Sequence, residues 1–324
     1  MDYDKPHLSF EQQVAHLQER GLDIADTELA AAMLRRVGYY RLSAYAYPLR
    51  RLLPSGAVPA TSVQFREDRF VDDAGLDLVI GLWEFDRELR LLLLDAVETI
   101  EIGLRVQVSY VLGRRDPFGY LNRDSLDAEA CARADRTGAP TWENWVARYL
   151  ATQQEAESED FVRHYVEKYD GHLPIWVSTE IMEFGPLVRL YGLMLAADRS
   201  EIARALGATS GTVVHRWLKT VNYVRNIAAH HARLWNRRLT YSIARPSTTG
   251  PAGLVHLREL GDAERRKIYA AAAVIAHLVR AIDPDSDWPR RFAALARRFP
   301  PSELVSPEHD MGFAPGWADE VLWR

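Results

Sequence analysis

A long helical repeat of apolar residues constrains this chain more than any other feature of its sequence. From about Asp73 to Leu112, apolar side chains recur mostly at steps of three and four residues, and charged residues fill the positions between them. This spacing places the apolar groups on one face of a helix. Forty residues of helix span roughly 60 Å, and Gly103 is the candidate position for a kink in a helix of this length.

Further helical patterns lie on both sides of this repeat. Ser9 starts a capping box with Gln12, and Asp26 is a candidate N-cap for a second helix. Other predicted elements are a short strand at 62–65 and helices starting at Trp142, over 175–196 with an interruption at Gly185-Pro186, over 211–235 and from an Asp262 N-cap to Ile282. The prediction is an all-α protein.

The predicted organisation has three regions. They are an N-terminal helical extension (1–70), a helical core (71–282) with an inserted segment around 113–172, and a tail (283–324). Aromatic residues in the tail indicate that it docks on the core.

Composition narrows the class of protein further. The chain has 324 residues, a formal net charge of -5 and a single cysteine, Cys131. One cysteine excludes a disulfide framework and fits a reducing compartment. The polar first residues do not resemble a signal peptide, and no stretch approaches the roughly 20 apolar residues of a membrane span. We therefore expect a cytoplasmic protein.

The charge distribution is uneven. From Ile202 to Arg258, 57 consecutive residues contain no Asp or Glu but nine Lys and Arg. A segment without carboxylates is a candidate surface for a polyanion, since carboxylates would repel its phosphates. A chance asymmetry, balanced in three dimensions by the acidic remainder, is the alternative interpretation.

The predicted helix over 211–235 separates into two faces. The apolar face carries Val214, Trp217, Leu218, Val221, Val224, Ala228, His231 and Trp235. The polar face carries Lys219, Asn222, Tyr223, Asn226, His230, Arg233 and Arg237. Asn226 and His230 are four residues apart and can touch, while Arg225 reaches round the helix on its long stem. We therefore take Arg225, Asn226 and His230 as the candidate catalytic group.

These three residue types fit metal-independent cleavage of RNA. Histidine exchanges protons near neutral pH, arginine stabilises charge on phosphorus, and asparagine orients either one. In this reaction the ribose 2′-hydroxyl attacks the adjacent phosphate and leaves a cyclic phosphate. The reaction needs both a base and an acid, so a twofold dimer with two copies of His230 would complete the site.

No metal or cofactor is predicted. Adjacent His230 and His231 cannot share a ligand face, and the sequence contains no H-E-x-x-H motif and no glycine-rich phosphate loop. His231 points toward the predicted core, where a structural role is expected. Arg225 and His230 at this spacing are also compatible with purely structural roles.

Several blocks of sequence together resemble the Abi-like family, the AbiD/AbiF type of abortive-infection protein within the HEPN superfamily. The blocks are Lys5–Leu22, Tyr39–Tyr45, Phe85–Arg90, Ile100–Arg105, Pro174–Val177, Glu183–Gly185, Arg225–Arg237, Met311–Phe313 and Leu322–Trp323. They are spread over nearly the whole chain, and their joint occurrence is more specific than any one of them.

The resemblance implies a HEPN-type helical bundle whose R-x-x-x-x-H motif, Arg225 to His230, is the endoribonuclease site of a homodimer. It also implies a toxin-like effector of anti-phage abortive infection that is restrained by an antitoxin RNA or protein. Lys219, Tyr223, Arg233, Arg237 and Arg105 are the predicted RNA contacts. An intrahelical Glu101–Arg105 pair is an equal alternative for Arg105.

Two other functions remain open from the sequence. The basic face could hold RNA without cutting it, as in a regulatory HEPN module. Alternatively, the chain could be a helical protein-interaction scaffold in which Arg225 and His230 satisfy one another.

Overall fold

The structure of the protein is a computed structural model that describes residues 6–54, 66–135, 138–169 and 171–324. Its α-helices are, in chain order, α1 (Phe10–Glu19), α2 (Thr27–Val37), α3 (Tyr39–Ala46), α4 (Leu76–Gly113), α5 (Ala128–Ala132), α6 (Thr141–Glu155), α7 (Asp160–Lys168), α8 (Ile175–Ile181), α9 (Phe184–Leu193), α10 (Ala196–Ala205), α11 (Gly211–Ala229), α12 (Ile268–Ile282) and α13 (Trp288–Ala296). The long apolar repeat forms α4 as one continuous helix.

The predicted all-α class is confirmed, because the described residues are predominantly helical. The strands among them form one small sheet, in which β1 (Arg50–Leu52) runs antiparallel to β2 (Arg66–Phe70). The strand predicted at 62–65 lies outside the described residues. Within the described part of the chain, no helix combines the length and the hydropathy needed to cross a membrane.

Side-chain caps explain where the first two helices begin. The Ser9 hydroxyl accepts a hydrogen bond from the Gln12 N–H, and the Gln12 side chain accepts one from the Ser9 N–H. The Asp26 carboxylate accepts a bond from the Leu29 N–H at 2.9 Å. Both predicted caps are therefore confirmed, since each satisfies N–H groups that lack partners within the helix.

The predicted Asp262 cap is wrong. Helix α12 begins at Ile268 and has no side-chain cap. Asp262 instead accepts a bond from the buried guanidinium of Arg265, which also donates to the Leu260 carbonyl. These bonds hold the segment before α12 in a turn, so the helix starts at Ile268 and not directly after Asp262.

The described residues form two compact units. One comprises the described residues up to Arg90 together with Ala294–Asp310, and the other comprises Leu91–Ala293 together with Met311–Arg324.

A buried polar network stabilises the first unit. The Tyr45 hydroxyl donates to Asp86 Oδ2 at 2.7 Å, and Arg90 Nη1 donates to the Tyr45 oxygen at 3.0 Å and also pairs with Asp86. All three side chains are buried. Buried polar groups need partners to offset their lost hydration, so these residues satisfy one another and specify the packing of this unit.

An aromatic cluster closes the second unit. The ring centroids of Phe313 and Tyr269 are 4.5 Å apart, and those of Trp323 and Phe292 are 4.9 Å apart. Trp323 Nε1 also donates to the Tyr269 hydroxyl at 3.3 Å. Phe313 and Trp323 therefore pack on α12 and α13 within this unit.

Helix α9 packs against both α6 and α11 within the second unit. The buried ring of Trp145 on α6 stacks on Tyr149, with centroids 5.6 Å apart, and its Nε1 donates to the Pro186 carbonyl at 2.9 Å. This fixed contact sets the spacing between α6 and α9. The three helices together frame the candidate site.

Candidate functional site

Helix α11 carries the predicted catalytic motif. The Ser210 hydroxyl accepts a hydrogen bond from the Val213 N–H at 3.3 Å and so caps the helix. The apolar face is buried as predicted over Val214, Trp217, Leu218, Val221, Val224 and Ala228. Burial of this face fixes the helix and directs the opposite face away from the core.

The prediction that the helix continues to Trp235 is wrong. Helix α11 ends at Ala229, and His231 adopts a left-handed conformation with φ 55°. The His231 N–H donates to the Ala228 carbonyl and the Ala232 N–H to the Ile227 carbonyl, both at 3.0 Å. These bonds form a Schellman motif, which ends a helix by satisfying its last carbonyls.

The helix end changes the positions of several predicted residues. His231 is exposed and not in the core, which corrects its predicted burial. Trp235 is buried as expected, but in the segment after the helix. Arg233 and Arg237 therefore do not continue the polar face of α11; Arg233 is half-buried and Arg237 exposed in that same segment.

The structure brings Arg225 and Asn226 together. Arg225 Nη1 donates to Asn226 Oδ1 at 3.4 Å, and both side chains are half-buried. This contact holds the guanidinium next to the amide; the orienting role predicted for Asn226 stays a prediction.

Arg225 and Asn226 line a polar recess of about 230 Å³ between α6, α9 and α11. The recess contains three guanidinium groups, two asparagine amides and one carboxylate. Its lining residues are Trp145, Arg148, Glu183, Gly185, Pro186, Arg189, Asn222, Arg225 and Asn226. We call this space the amide recess.

Arg225 also borders a second recess, of about 300 Å³, together with Arg105 from α4. Arg105 Nη2 donates to Glu101 Oε1 at 2.7 Å and to the Met182 carbonyl at 2.9 Å. The predicted Glu101–Arg105 pair is therefore present, and the same arginine faces the recess. We call this space the α4 recess.

His230 lies outside both recesses. It is the residue that follows the last turn of α11, its side chain is exposed, and its backbone N–H donates to the Asn226 carbonyl at 3.0 Å. One helical turn separates it from Asn226. Within one copy of the chain, the third member of the predicted catalytic group is thus at the edge of the candidate site and open to solvent.

Lys219 lies in a cationic environment. Partial burial, together with repulsion from Arg133, Arg216 and Arg189, lowers the pKa of its ammonium group. Nearby, burial and the charges of Lys219, Arg199 and Arg133 lower the pKa of His215 to about 4. Cationic side chains therefore cluster around Lys219 and His215, which favours an anionic ligand beside this part of α11.

Tyr223 and Arg237 contact each other. Burial raises the pKa of the Tyr223 phenol, but hydrogen bonds with Thr240 and Arg237 and the charge of Arg237 outweigh it, so the pKa is lowered. The Tyr223 ring also packs edge-on against Tyr241, with centroids 6.0 Å apart. These contacts place a phenol and a guanidinium together on the surface next to α11.

Residues 32–236, more than half of the chain, match the family described as Abi-like protein. The chain belongs to the Abi-like family. No curated protein and no solved structure matches it. In this Abi-like protein the matched region contains the motif from Arg225 to His230 and ends one residue before Arg237. The resembling blocks near the two ends of the chain lie outside the matched region.

Sequence reasoning missed several residues of the Abi-like protein's candidate site. Arg148, Glu183 and Arg189 line the amide recess but come from α6 and from the start and middle of α9. Asn222 was placed on the polar face without a role, and its side chain lies one helical turn before Asn226. Among the described residues, no group of three His, Cys, Asp or Glu converges as metal ligands do.

Proposed function

We propose that this Abi-like protein is a metal-independent endoribonuclease of the HEPN type. The observation that carries the proposal is the hydrogen-bonded Arg225–Asn226 pair in the amide recess, one turn before His230, in a segment of the sequence without carboxylates. This arrangement supplies a fixed positive charge for a phosphodiester and a histidine at the adjacent surface.

Each of the three residues would have one role in the cleavage of RNA. The ribose 2′-oxygen forms a bond to phosphorus while the bond from phosphorus to the 5′-oxygen breaks, which leaves a 2′,3′-cyclic phosphate and a 5′-hydroxyl. Arg225 stabilises the negative charge that develops on the phosphoryl oxygens, and Asn226 holds the guanidinium. His230 accepts the 2′-hydroxyl proton or donates a proton to the leaving oxygen.

A second copy of the chain would supply the other histidine. On α4, Leu91, Ile102 and Val106 are 54%, 52% and 58% exposed and fall within about 60° of one another around the helix. Ile102 also lines the α4 recess with Arg225. Exposed apolar stripes of this kind are typical of association surfaces, and pairing along α4 would place two copies of the site at one interface.

The Val106→Arg variant tests this pairing, because a buried unpaired charge at an interface is strongly destabilising. We expect a wild-type dimer by light scattering, and a monomeric variant with little cleavage. A dimeric Val106→Arg protein with full activity would exclude this surface.

Membership of the Abi-like family suggests a role in abortive infection, a form of defence. We extend this to a toxin-like effector in the cytoplasm that arrests growth or phage replication by cutting RNA. A toxin of this kind requires restraint in uninfected cells, which an antitoxin RNA or protein would provide.

Cleavage of labelled single-stranded RNA in the presence of EDTA tests the activity. Arg225→Ala and His230→Ala should each reduce the rate by about 10²–10⁴-fold, the usual contribution of a positioned acid–base group. His231→Asn is the matched control, because asparagine tolerates the left-handed backbone at this position, and it should cleave like the wild type. Full activity in His230→Ala protein would refute the proposal.

The position of His230 outside both recesses favours a second candidate, a non-catalytic RNA-binding module. In that case purified protein binds RNA with the salt dependence of phosphate contacts and leaves the RNA intact under all conditions. A protein that neither cuts nor binds RNA would be the helical scaffold.

A further inference from the structure

The amide recess contains one carboxylate, that of Glu183, among three guanidinium groups. Its side chain is 68% exposed, and its nearest ion-pair partner is Arg148 Nη2 at 4.0 Å. An exposed ion pair of this length contributes little to stability. Glu183 also occupies the N-cap position of α9 without making a side-chain cap. Neither helix capping nor a close ion pair accounts for this carboxylate.

A recess built only for phosphate would not contain Glu183, because a carboxylate repels phosphate oxygens. In contrast, the Glu183 carboxylate would accept hydrogen bonds from N–H donors on a neutral ligand. The Asn222 and Asn226 amides line the same recess and can both donate and accept hydrogen bonds. The lining therefore offers a mixed pattern of donors and acceptors next to cations.

Such a lining, with hydrogen-bond donors and acceptors next to cations, is typical of a site that binds one unpaired nucleobase and its adjoining phosphate. RNA-binding proteins read unstacked bases through hydrogen bonds to their edges and stack them on guanidinium planes. A space of about 230 Å³ is smaller than the 300–1,000 Å³ of a typical small-molecule pocket, so it suits one unit of a longer chain. Arg148 and Arg189 at the rim would then contact the base face or flanking phosphates.

We propose that the amide recess binds a single guanine base next to the phosphate held by Arg225. Guanine presents two adjacent N–H donors, at N1 and N2, which match the two oxygens of the Glu183 carboxylate. Adenine and cytosine each place a ring acceptor beside their amino group, and uracil places its single N–H between two carbonyls, so each brings an acceptor against the carboxylate. This inference rests on the proposed function, because it names the substrate feature that the same site selects.

The test measures binding separately from cleavage. Fluorescence anisotropy with His230→Ala protein would compare short unstructured RNAs that contain one guanosine, one inosine or neither in the same background. Inosine lacks the N2 amino group, so we expect guanosine RNA to bind about tenfold more tightly than inosine RNA, as for loss of a bidentate base contact. Adding Glu183→Gln should remove this difference, whereas Glu157→Gln, an exposed glutamate outside the recess, should retain it.

Equal affinity for the three RNAs, or a guanosine preference that persists in Glu183→Gln protein, would overturn the inference. Sequencing of RNA ends produced by wild-type protein distinguishes this failure from failure of the nuclease proposal. If the protein cleaves RNA but the cut sites show no guanosine at a fixed position, the guanine site is refuted and the nuclease proposal is supported. Selective binding without any cleavage supports the guanine site and refutes the nuclease.

Discussion

Replacing His215 should reduce the loss of unfolding free energy that occurs as the pH falls from about 6.5 to 4. Burial of the His215 ring, together with the charges of Lys219, Arg199 and Arg133, lowers its pKa from 6.5 to about 4. Above about pH 6.5 the ring is neutral in both the folded and the unfolded chain, and its full contribution to stability is present. Between about pH 6.5 and 4 only the unfolded chain takes up the proton, so stability falls. The total loss is about 3 kcal/mol, at about 1.4 kcal/mol for each factor of ten in proton affinity.

The assay is urea denaturation of wild-type and His215→Gln protein at intervals from pH 7.5 to 4. The difference in unfolding free energy between the two proteins should change by about 3 kcal/mol over this range, in favour of the variant at low pH. His7→Gln, at an exposed position, serves as the control and should follow the wild type. Parallel curves for wild-type and His215→Gln protein would refute the argument that this ring is held neutral by its surroundings.

Three further predictions follow from packing and charge. In Gly103→Ala the added methyl group would lie 2.7 Å from Ile282 Cδ1, so denaturation should show a loss of about 1–3 kcal/mol; Ile282→Val should relieve this loss only in part, because Cγ1 and Cγ2 lie 2.9 and 3.0 Å from the same methyl group, and unchanged stability in Gly103→Ala would contradict this close packing. Arg189→Ala should reduce the slope of log Kd against log salt for single-stranded RNA by about 0.7, whereas an unchanged slope would exclude a phosphate contact. Tyr45→Phe removes a hydrogen-bond donor to the buried Asp86 carboxylate and should lower the free energy of unfolding by about 1–3 kcal/mol, measured by thermal or urea denaturation. An unchanged free energy would show that this hydrogen bond does not stabilise the first unit.

The helical class was predictable because apolar spacing and local caps carry most of the information needed. The repeat in α4 and the caps at Ser9 and Asp26 depend on residues close together in sequence. The start of α12 was not predictable in this way. The ion pair that displaces it, between Asp262 and Arg265, is held by tertiary burial of the arginine.

The candidate site was predictable only along one helix. The contact between Arg225 and Asn226 follows from their adjacency in the chain. The end of α11 was missed because no glycine or proline follows it, and the left-handed position is occupied by His231. Glu183 and its arginine neighbours join the site through packing of separate helices, and one sequence gives no sign of such convergence.

The position of Arg225 between two cavities has a consequence for inhibition. The Arg225 side chain lines both the amide recess and the α4 recess. A ligand in the α4 recess that binds the Arg225 guanidinium would therefore pull it away from Asn226. A ligand in the α4 recess and a ligand in the amide recess would then compete for the Arg225 guanidinium without contacting each other. If the proposed nuclease site is correct, a ligand bound in the α4 recess would therefore inhibit cleavage without occupying the amide recess.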